Sequence, residues 1–199
     1  MTTIIDYGAG NLFSVRNALN YLGCENRISS DKNDIISADR LILPGVGAFG
    51  DAMDKLKSSG LTEVIKQEAV KKPFLGICLG MQLLVEESYE FGKHEGLGLI
   101  PGAVKLMEPK GDLAIPQMGW NSLEFNNPCS LLGGISDGAY VYFVHSYAAV
   151  CPDSYVSAYA DYGGKVTALV HSGTIYGAQF HPEKSGETGL NILRNFAEL

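Results

Sequence analysis

The strongest chemical signal in the sequence is Pro73-Phe74-Leu75-Gly76-Ile77-Cys78-Leu79-Gly80-Met81-Gln82. An apolar strand-like run enters Gly-x-Cys-x-Gly, and the pattern predicts a helix directly after it. This is the thiol counterpart of a nucleophile elbow. A nucleophile on so sharp a turn has a strained backbone, and its neighbours must be small because the chain passes close on both sides. Such a turn seats the sulfur at a helix amino terminus, where the dipole favours thiolate. It also aims the amide of Leu79 at the atom being attacked, as an oxyanion donor. A lone cysteine is more often a small core hydrophobe. Two flanking glycines at a strand-to-helix junction turn the reading of Cys78 toward a nucleophile.

A cysteine nucleophile needs a base, and the chain offers His94, His145, His171 and His181. His94 lies in a polar stretch, and His145 and His171 end strand-like runs. His181 opens His181-Pro182-Glu183. Pro182 fixes its own φ and pushes His181 toward extended geometry, in which residues i and i+2 point the same way. The Glu183 carboxylate then lies beside the imidazole and can hold its tautomer, as the third member of a triad does. Alone, the pair reads as a surface His and Glu near a turn. With an elbow thiol far upstream it becomes specific, and only the fold can join the two.

The elements that must do so alternate in the first half. Thr3–Tyr7 reads as a buried strand, and Asn11 is placed to cap a helix carrying Leu12, Val15, Leu19 and Leu22, ended by Gly23. Leu41–Leu43 is a second strand. Helices follow at Asp51–Ser59 and Leu61–Lys72, where Glu68 and Lys72 stand one turn apart. Pro73–Ile77 is a third strand and Leu79–Phe91 a third helix. From about Gly92 short strand-like runs succeed one another: Ala103–Met107, Asn121–Phe125, Ala139–His145, Tyr155–Ala160, Lys165–His171 and Thr174–Phe180. Hairpin turns are expected at Gly163-Gly164 and Ser172-Gly173, and a last helix at about Glu187–Leu199. This predicts one α/β domain over residues 1–199, a mostly parallel central sheet flanked by helices and extended by antiparallel strands. Gly8-Ala9-Gly10 fails the dinucleotide fingerprint at Phe13 and reads as a structural turn.

Composition excludes several classes. The 199 residues are 46% hydrophobic and 19% charged, which is globular. The net charge of −7, with no Lys/Arg cluster, argues against nucleic acid as the main partner. Cys24, Cys78, Cys129 and Cys151 form no CxxC pair and no zinc spacing, so no metal is expected. No apolar run approaches the ~20 residues of a membrane span. The amino terminus has no signal-peptide pattern, so a cytoplasmic protein with free thiols is expected.

Gly-Ile-Cys-Leu-Gly-Met-Gln with a late Phe-His-Pro-Glu resembles the class I, triad-type glutamine amidotransferases. The resemblance implies that Cys78 attacks the side-chain amide of L-glutamine, that His181 is base and acid, and that Glu183 orients the ring. A glutamyl thioester is formed and hydrolysed, and no cofactor is needed. It further implies that Gln82 helps bind substrate, and that Pro44-Gly45-Val46-Gly47 supplies a second oxyanion donor at Val46 or Gly47, where glycines let amides turn toward an anion. Glutamine's α-ammonium needs negative charge. Glu86, Glu87 and Glu90 crowd the helix expected after Cys78, and motif alignment selects Glu90. Family alignment also puts Ser146 and Tyr147 on the glutamine pocket.

Further motifs narrow the branch: Ile5-Asp6-Tyr7-Gly8-Ala9-Gly10-Asn11-Leu12, Gly96-Leu97-Gly98-Leu99-Ile100-Pro101-Gly102, Met118-Gly119-Trp120-Asn121 and His181-Pro182-Glu183-Lys184-Ser185. Val46 and Phe49 depart from the Pro-Gly-Pro-Gly and Pro-Gly-Gly loops of other branches. The motifs are similar to those of the branch that serves histidine biosynthesis. The implied partner, in a heterodimer, is a (β/α)8-barrel cyclase that makes imidazole glycerol phosphate and an aminoimidazole carboxamide ribotide. No sequence is left here for an acceptor site, so ammonia would pass to that chain under cover. Trp120 is the expected interface anchor and Lys184 the expected interchain ion pair. The alternatives are a glutaminase subunit of another ammonia-dependent synthase, a Cys-His peptidase or deglycase-like hydrolase, and a silent binding subunit. Leu79, not histidine, follows Cys78, against the hydrolases. An intact triad argues against the silent subunit.

Overall fold

Short apolar runs, bounded by turn residues, become the strands of the computed structural model, which describes residues 1–199. β1 (Thr2–Ile5) leads through α1 (Leu12–Tyr21) to β2 (Asn26–Ser29), and α2 (Lys32–Ser37) leads to β3 (Arg40–Gly45). α3 (Phe49–Ser58) and α4 (Thr62–Ala69) carry the chain to β4 (Phe74–Cys78), and a single turn, α5 (Leu79–Gln82), follows. Short strands come next: β5 (Val85–Ser88), β6 (His94–Glu95), β7 (Ile100–Leu106), β8 (Gln117–Ser122), β9 (Glu124–Phe125), β10 (Tyr140–His145) and β11 (Tyr147–Val150). β12 (Val156–Asp161), β13 (Lys165–Ser172) and β14 (Ile175–Ala178) form a meander, and α6 (Gly186–Ala197) closes the chain.

The main sheet runs β2-β1-β3-β4-β14-β13-β12-β9. Its first five strands are parallel, and the other three pair antiparallel. The expected architecture, a largely parallel sheet extended by antiparallel strands, is what the chain adopts. Alternation along β3 explains the layers. Leu41 and Leu43 face a core shared with Phe49, Leu56 and Ile65 of α3 and α4. Ile42, between them, faces Val15 and Leu19 of α1 and Leu193 and Phe196 of α6. Each such fully buried side chain is worth about 1.5–3 kcal/mol. Two smaller sheets, β11-β7-β5-β6 and β10-β8, sit outside the main one.

Local chemistry sets the element ends. Gly23, at φ +71°, stops α1 with bonds from its own N–H to Asn20 O and from Cys24 N–H to Leu19 O, a Schellman arrangement. Asn11 does not cap that helix through its side chain. Glu68 pairs with Lys72, and also with Lys71, at 2.8 Å. The largest departure from expectation follows Cys78. The helix expected over Leu79–Phe91 is one turn long, and Val85–Ser88 is a strand. After Gly80 that stretch has no Gly or Pro, and so no helix-stopping residue, before Gly92. It leaves the helix because Val85 pairs with Ile100, and Glu87 and Ser88 pair with β6 and β7. Trp120, the expected interface anchor, lies within β8.

One crossing fixes the geometry around Cys78. A Cβ on Gly45 would stand 2.6 Å from Gly80 N, and one on Gly76 would stand 2.6 Å from Gly80 O. A Cβ on Gly80 itself would run into the Leu43 carbonyl oxygen. These are backbone atoms, which cannot swing away. Gly80→Ala is therefore expected to destabilise the chain by more than about 2 kcal/mol, at the high end for overpacking. Urea unfolding of the two chains measures this, and unchanged midpoints would contradict the crossing.

Candidate active site

The sheet brings the far ends of the sequence together. β4 and β14 are parallel neighbours with Ile77 beside Ala178, so Cys78 and Gln179 leave their strands side by side. β3 lies on the other flank, with Gly45 beside Cys78. Cys78, the Val46-Gly47 loop and the His181 segment thus all emerge at the carboxyl ends of parallel strands, where α/β sheets form crevices. There they line a cavity of about 420 Å³ with Leu79, Gln82, Glu90, Phe91, Val144, His145, Ser146, Tyr147 and Lys184. Of the expected site residues, only Glu183 and Trp120 are outside that wall. Glu183 stands behind His181, and Trp120 lies on the surface nearby.

Cys78 has φ +54° and ψ −111°, a conformation that L side chains rarely adopt. This is the strained elbow that the glycine spacing predicts. The helix after it has only four residues, so a macrodipole contributes little at the sulfur. Polar contacts surround the sulfur instead. Gln179 Nε2–H points to Sγ at 3.8 Å, and the thiol faces the Val144 carbonyl at 4.0 Å. Tyr7, from the turn after β1, is buried with no partner for its hydroxyl. Burial, and then the charge of Cys78, push that phenol up.

His181 and Glu183 meet as expected, but by a different route. His181 is extended (φ −99°, ψ 97°), and Pro182–Lys184 then makes a 3-10 turn rather than continuing extended. Proline at the first position of that turn is where its fixed φ fits. His181 Nδ1–H donates to Glu183 Oε1 at 2.8 Å, with both side chains nearly inaccessible. Ser185 Oγ clamps the turn: it donates to His181 O at 2.6 Å and accepts from Tyr142 N–H at 2.9 Å. Burial alone would lower the His181 pKa. Hydrogen bonding to Cys78 and Glu183 and their charges outweigh it, and His181 is pushed up to about 9.

The remaining walls hold polar groups suited to an amino-acid amide. Gln82 Nε2–H donates to Tyr147 O at 2.8 Å and to Gln179 Oε1 at 3.0 Å. Glu90 Oε2 accepts the Phe49 N–H at 2.7 Å. It is the only one of the three helix glutamates at the cavity. Glu86 is exposed, and Glu87 pairs with Lys93 at 2.7 Å. They separate because the segment is a strand, not a helix. Gly47 has φ +100° and Val46 is exposed at the mouth. Trp120 is 55% exposed, edge-on to Tyr142, and Lys184 is exposed at the rim.

Sequence reasoning assigned no role to His145, Gln179 or Ser185. His145 is buried, donates Nδ1–H to Tyr147 O at 2.8 Å, and has no partner at Nε2. Burial lowers its pKa to about 4. Gln179 had a legible signal: it lies two residues before His181 and so can share its side of the chain. His171 and His94 are elsewhere, the first bonded to Ser157 and the second against Phe49. No three His, Cys, Asp or Glu side chains converge as a metal-binding group.

Residues 3–199 match the family described as Glutamine amidotransferase class-I. The chain is 49% identical over 200 residues to the imidazole glycerol phosphate synthase subunit HisH of Listeria monocytogenes serotype 4b, covering 100% of this chain and 96% of the relative. It is 51% identical over 197 residues to the protein of that name from Bacillus cereus, covering 98% and 93%. Among solved structures, one described as PurLQS from Thermotoga maritima has a TM-score of 0.75 at 23% identity, covering 99% and 97%. A crystal structure described as glutamine amidotransferase has a TM-score of 0.76 at 18% identity, covering 98% and 97%. At those identities the likeness is one of fold.

The two cavity histidines give opposite pH signatures. His181 is raised above its ordinary 6.5, so its contribution to stability is complete below that value and is lost as pH climbs through about 9. His145 is lowered, so the folded chain refuses a proton that the unfolded chain accepts, and stability falls on acidification from 6.5 toward about 4. NMR titration of the imidazoles should find one histidine near 9 and one near 4. Glu183→Gln should bring the higher value down and leave the lower one in place.

Proposed function

The chain belongs to the glutamine amidotransferase class-I family, and on that footing we propose that it is the glutaminase subunit of an imidazole glycerol phosphate synthase in histidine biosynthesis. It hydrolyses L-glutamine to glutamate and ammonia, and the ammonia goes to a cyclase partner. Half-identity to relatives along the whole chain supports the branch. The observation that carries the chemistry is the cavity in which Cys78 and His181 meet, with Glu183 held 2.8 Å behind the imidazole.

The steps follow from that arrangement. His181 takes the Cys78 proton and Sγ attacks the δ-carbon of glutamine. The resulting oxyanion is met by the amides of Leu79 and of the Val46-Gly47 loop, where charge develops only in the transition state. The tetrahedral species collapses as His181 protonates the leaving nitrogen, releasing ammonia and leaving a glutamyl thioester. A water, its proton taken by His181, attacks the thioester, and glutamate leaves as the proton returns to sulfur. Glu183 keeps Nδ1 protonated throughout and stabilises the imidazolium. Glu90 offers negative charge to the α-ammonium, with Oε1 taking no bond from the chain. Gln82, Ser146 and Tyr147 hold the rest of the substrate.

The partner is read as a (β/α)8-barrel cyclase docked over the cavity mouth as a heterodimer. Exposed Trp120 and Lys184 beside that mouth support this reading. Residues 1–199 form a single domain, a reading supported by one sheet that takes strands from both halves of the chain. Four unpaired thiols suit a reducing cytoplasm, and no helix is long and apolar enough to cross a membrane.

Burial raises the Cys129 thiol and pushes Cys151 up to about 11, so both are poor nucleophiles near neutral pH. A glutamine-like electrophile should therefore label Cys78 rather than Cys24, Cys129 or Cys151, as peptide mass mapping reads. In the complex, Cys78→Ser should lower glutamine-dependent synthesis by about 10³-fold or more and leave ammonia-dependent synthesis intact. Labelling at another cysteine, or a glutamine-active serine variant, would remove the proposed nucleophile.

Trp120→Ala tests the docking face separately. Truncating an exposed aromatic anchor at an interface centre costs about 2 kcal/mol or more, some thirtyfold in Kd. Titration of the cyclase into either chain by calorimetry measures it, and unchanged affinity would move the interface away from Trp120.

A further inference from the structure

We propose that Gln179 is a positioning residue that holds the Cys78 sulfur and supports its anionic form, with its own orientation dictated by Gln82. This rests on Cys78 being the nucleophile. The argument is one of hydrogen-bond polarity. A backbone carbonyl can only accept, so the Gln82 group 2.8 Å from Tyr147 O is its NH₂. That same NH₂ lies 3.0 Å from the Gln179 side chain, which must therefore present its carbonyl oxygen there. Only the NH₂ of Gln179 is left to face Sγ, at 3.8 Å. The direction of the whole chain, from Tyr147 O through Gln82 and Gln179 to sulfur, is set by one main-chain group.

Three features make this more than a packing contact. Gln179 is completely buried, so its amide has no water to turn toward. A buried N–H aimed at sulfur gains most when the sulfur is charged, because charge-assisted hydrogen bonds are about twice as strong as neutral ones. The thiol's other contact, the Val144 carbonyl at 4.0 Å, can accept from S–H but offers nothing to a thiolate. The four-residue helix after Cys78 adds little. Gln179, with His181, is thus the fixed polar support of the anion. Its backbone is pinned as well, since Gln179 N–H donates to Ala168 O at 2.9 Å. The sheet sets the side-by-side placement through the Ile77–Ala178 register.

The test compares Gln179→Glu with Gln179→Met. Glutamate keeps an oxygen for Gln82 but turns an acceptor with negative charge to the sulfur. Methionine removes both polar ends at similar length. Iodoacetamide alkylation of Cys78 is followed by mass spectrometry across pH. Alkylation near neutral pH should slow about tenfold in Gln179→Met, the equivalent of one pH unit in its profile, and further in Gln179→Glu. Alkylation of Cys24, Cys129 and Cys151 should stay at wild-type rates, which a loosened fold would not allow. In the complex, kcat with glutamine should fall while ammonia-dependent synthesis is kept. A soluble variant whose Cys78 profile overlays the wild type would overturn the role of Gln179. A separate result tests the premise: if alkylating wild-type Cys78 leaves glutamine hydrolysis intact, the nucleophile assignment falls, and this inference with it.

Discussion

The site depends on backbones that meet around Cys78 with no side chain between them. Gly80 presses on the Leu43 carbonyl, and Gly45 and Gly76 leave room for Gly80. The turn between β4 and α5 can close this tightly only if Cys78 takes a positive φ. Holding a non-glycine residue there costs on the order of 1–3 kcal/mol. The buried layers on both faces of β3 and β4 offset that cost several times over, which is how the strain persists. In return the sulfur, buried beside Leu75 and Ile77, also reaches the cavity at the carboxyl end of the sheet.

Sheet order does the rest. β14 comes last among the strands of the chain, yet it lies beside β4 in the middle of the sheet. Whatever follows β14 must therefore emerge next to whatever follows β4. Gln179 arrives abreast of Cys78, and His181 two residues further on can reach across. The His181 turn is then locked from behind by Ser185 to β10. An imidazole fixed by its own carboxylate, by a hydroxyl clamp and by sheet register loses little freedom when it acts, which is the structural content of preorganisation.

These relations differ in how far they can be read from residues alone. The elbow was legible because it is local: glycine spacing around Cys78 states a steric requirement that any fold must meet. The parallel sheet was legible because strands alternate with helices through the first half of the chain. The expected helix after Cys78 failed because nothing local stops it at Gln82. Val85–Ser88 becomes a strand by pairing with residues such as Ile100 and His94, which periodicity cannot foresee. That failure carried Glu86 and Glu87 out of the expected acidic cluster and left Glu90. The His181–Glu183 contact was expected for the wrong local reason, since a 3-10 turn makes it. Gln179 went unassigned because its partners, Gln82 and Cys78, are about a hundred residues away.

The cavity also has to accommodate two histidines without letting their charges oppose each other. His181 gains its proton from neighbours of opposite sign, whereas His145 loses its proton to burial and feels the charge of His181 as a further penalty. Were both cationic in one small cavity, their repulsion would lower His181 and weaken its hold on the thiolate. A neutral His145 avoids this and keeps one N–H, which it spends on Tyr147 O. That is the same carbonyl that receives the Gln82 amide. The two lone pairs of Tyr147 O thus tie the neutral histidine to the amide pair that ends at sulfur. Protonation at Nε2 would leave the Nδ1–H on that carbonyl, so what a neutral His145 secures is the absence of a second charge in the cavity. Burial of His145 is in this sense a condition on the electrostatics of Cys78, met by packing against Phe143 rather than by any charged group.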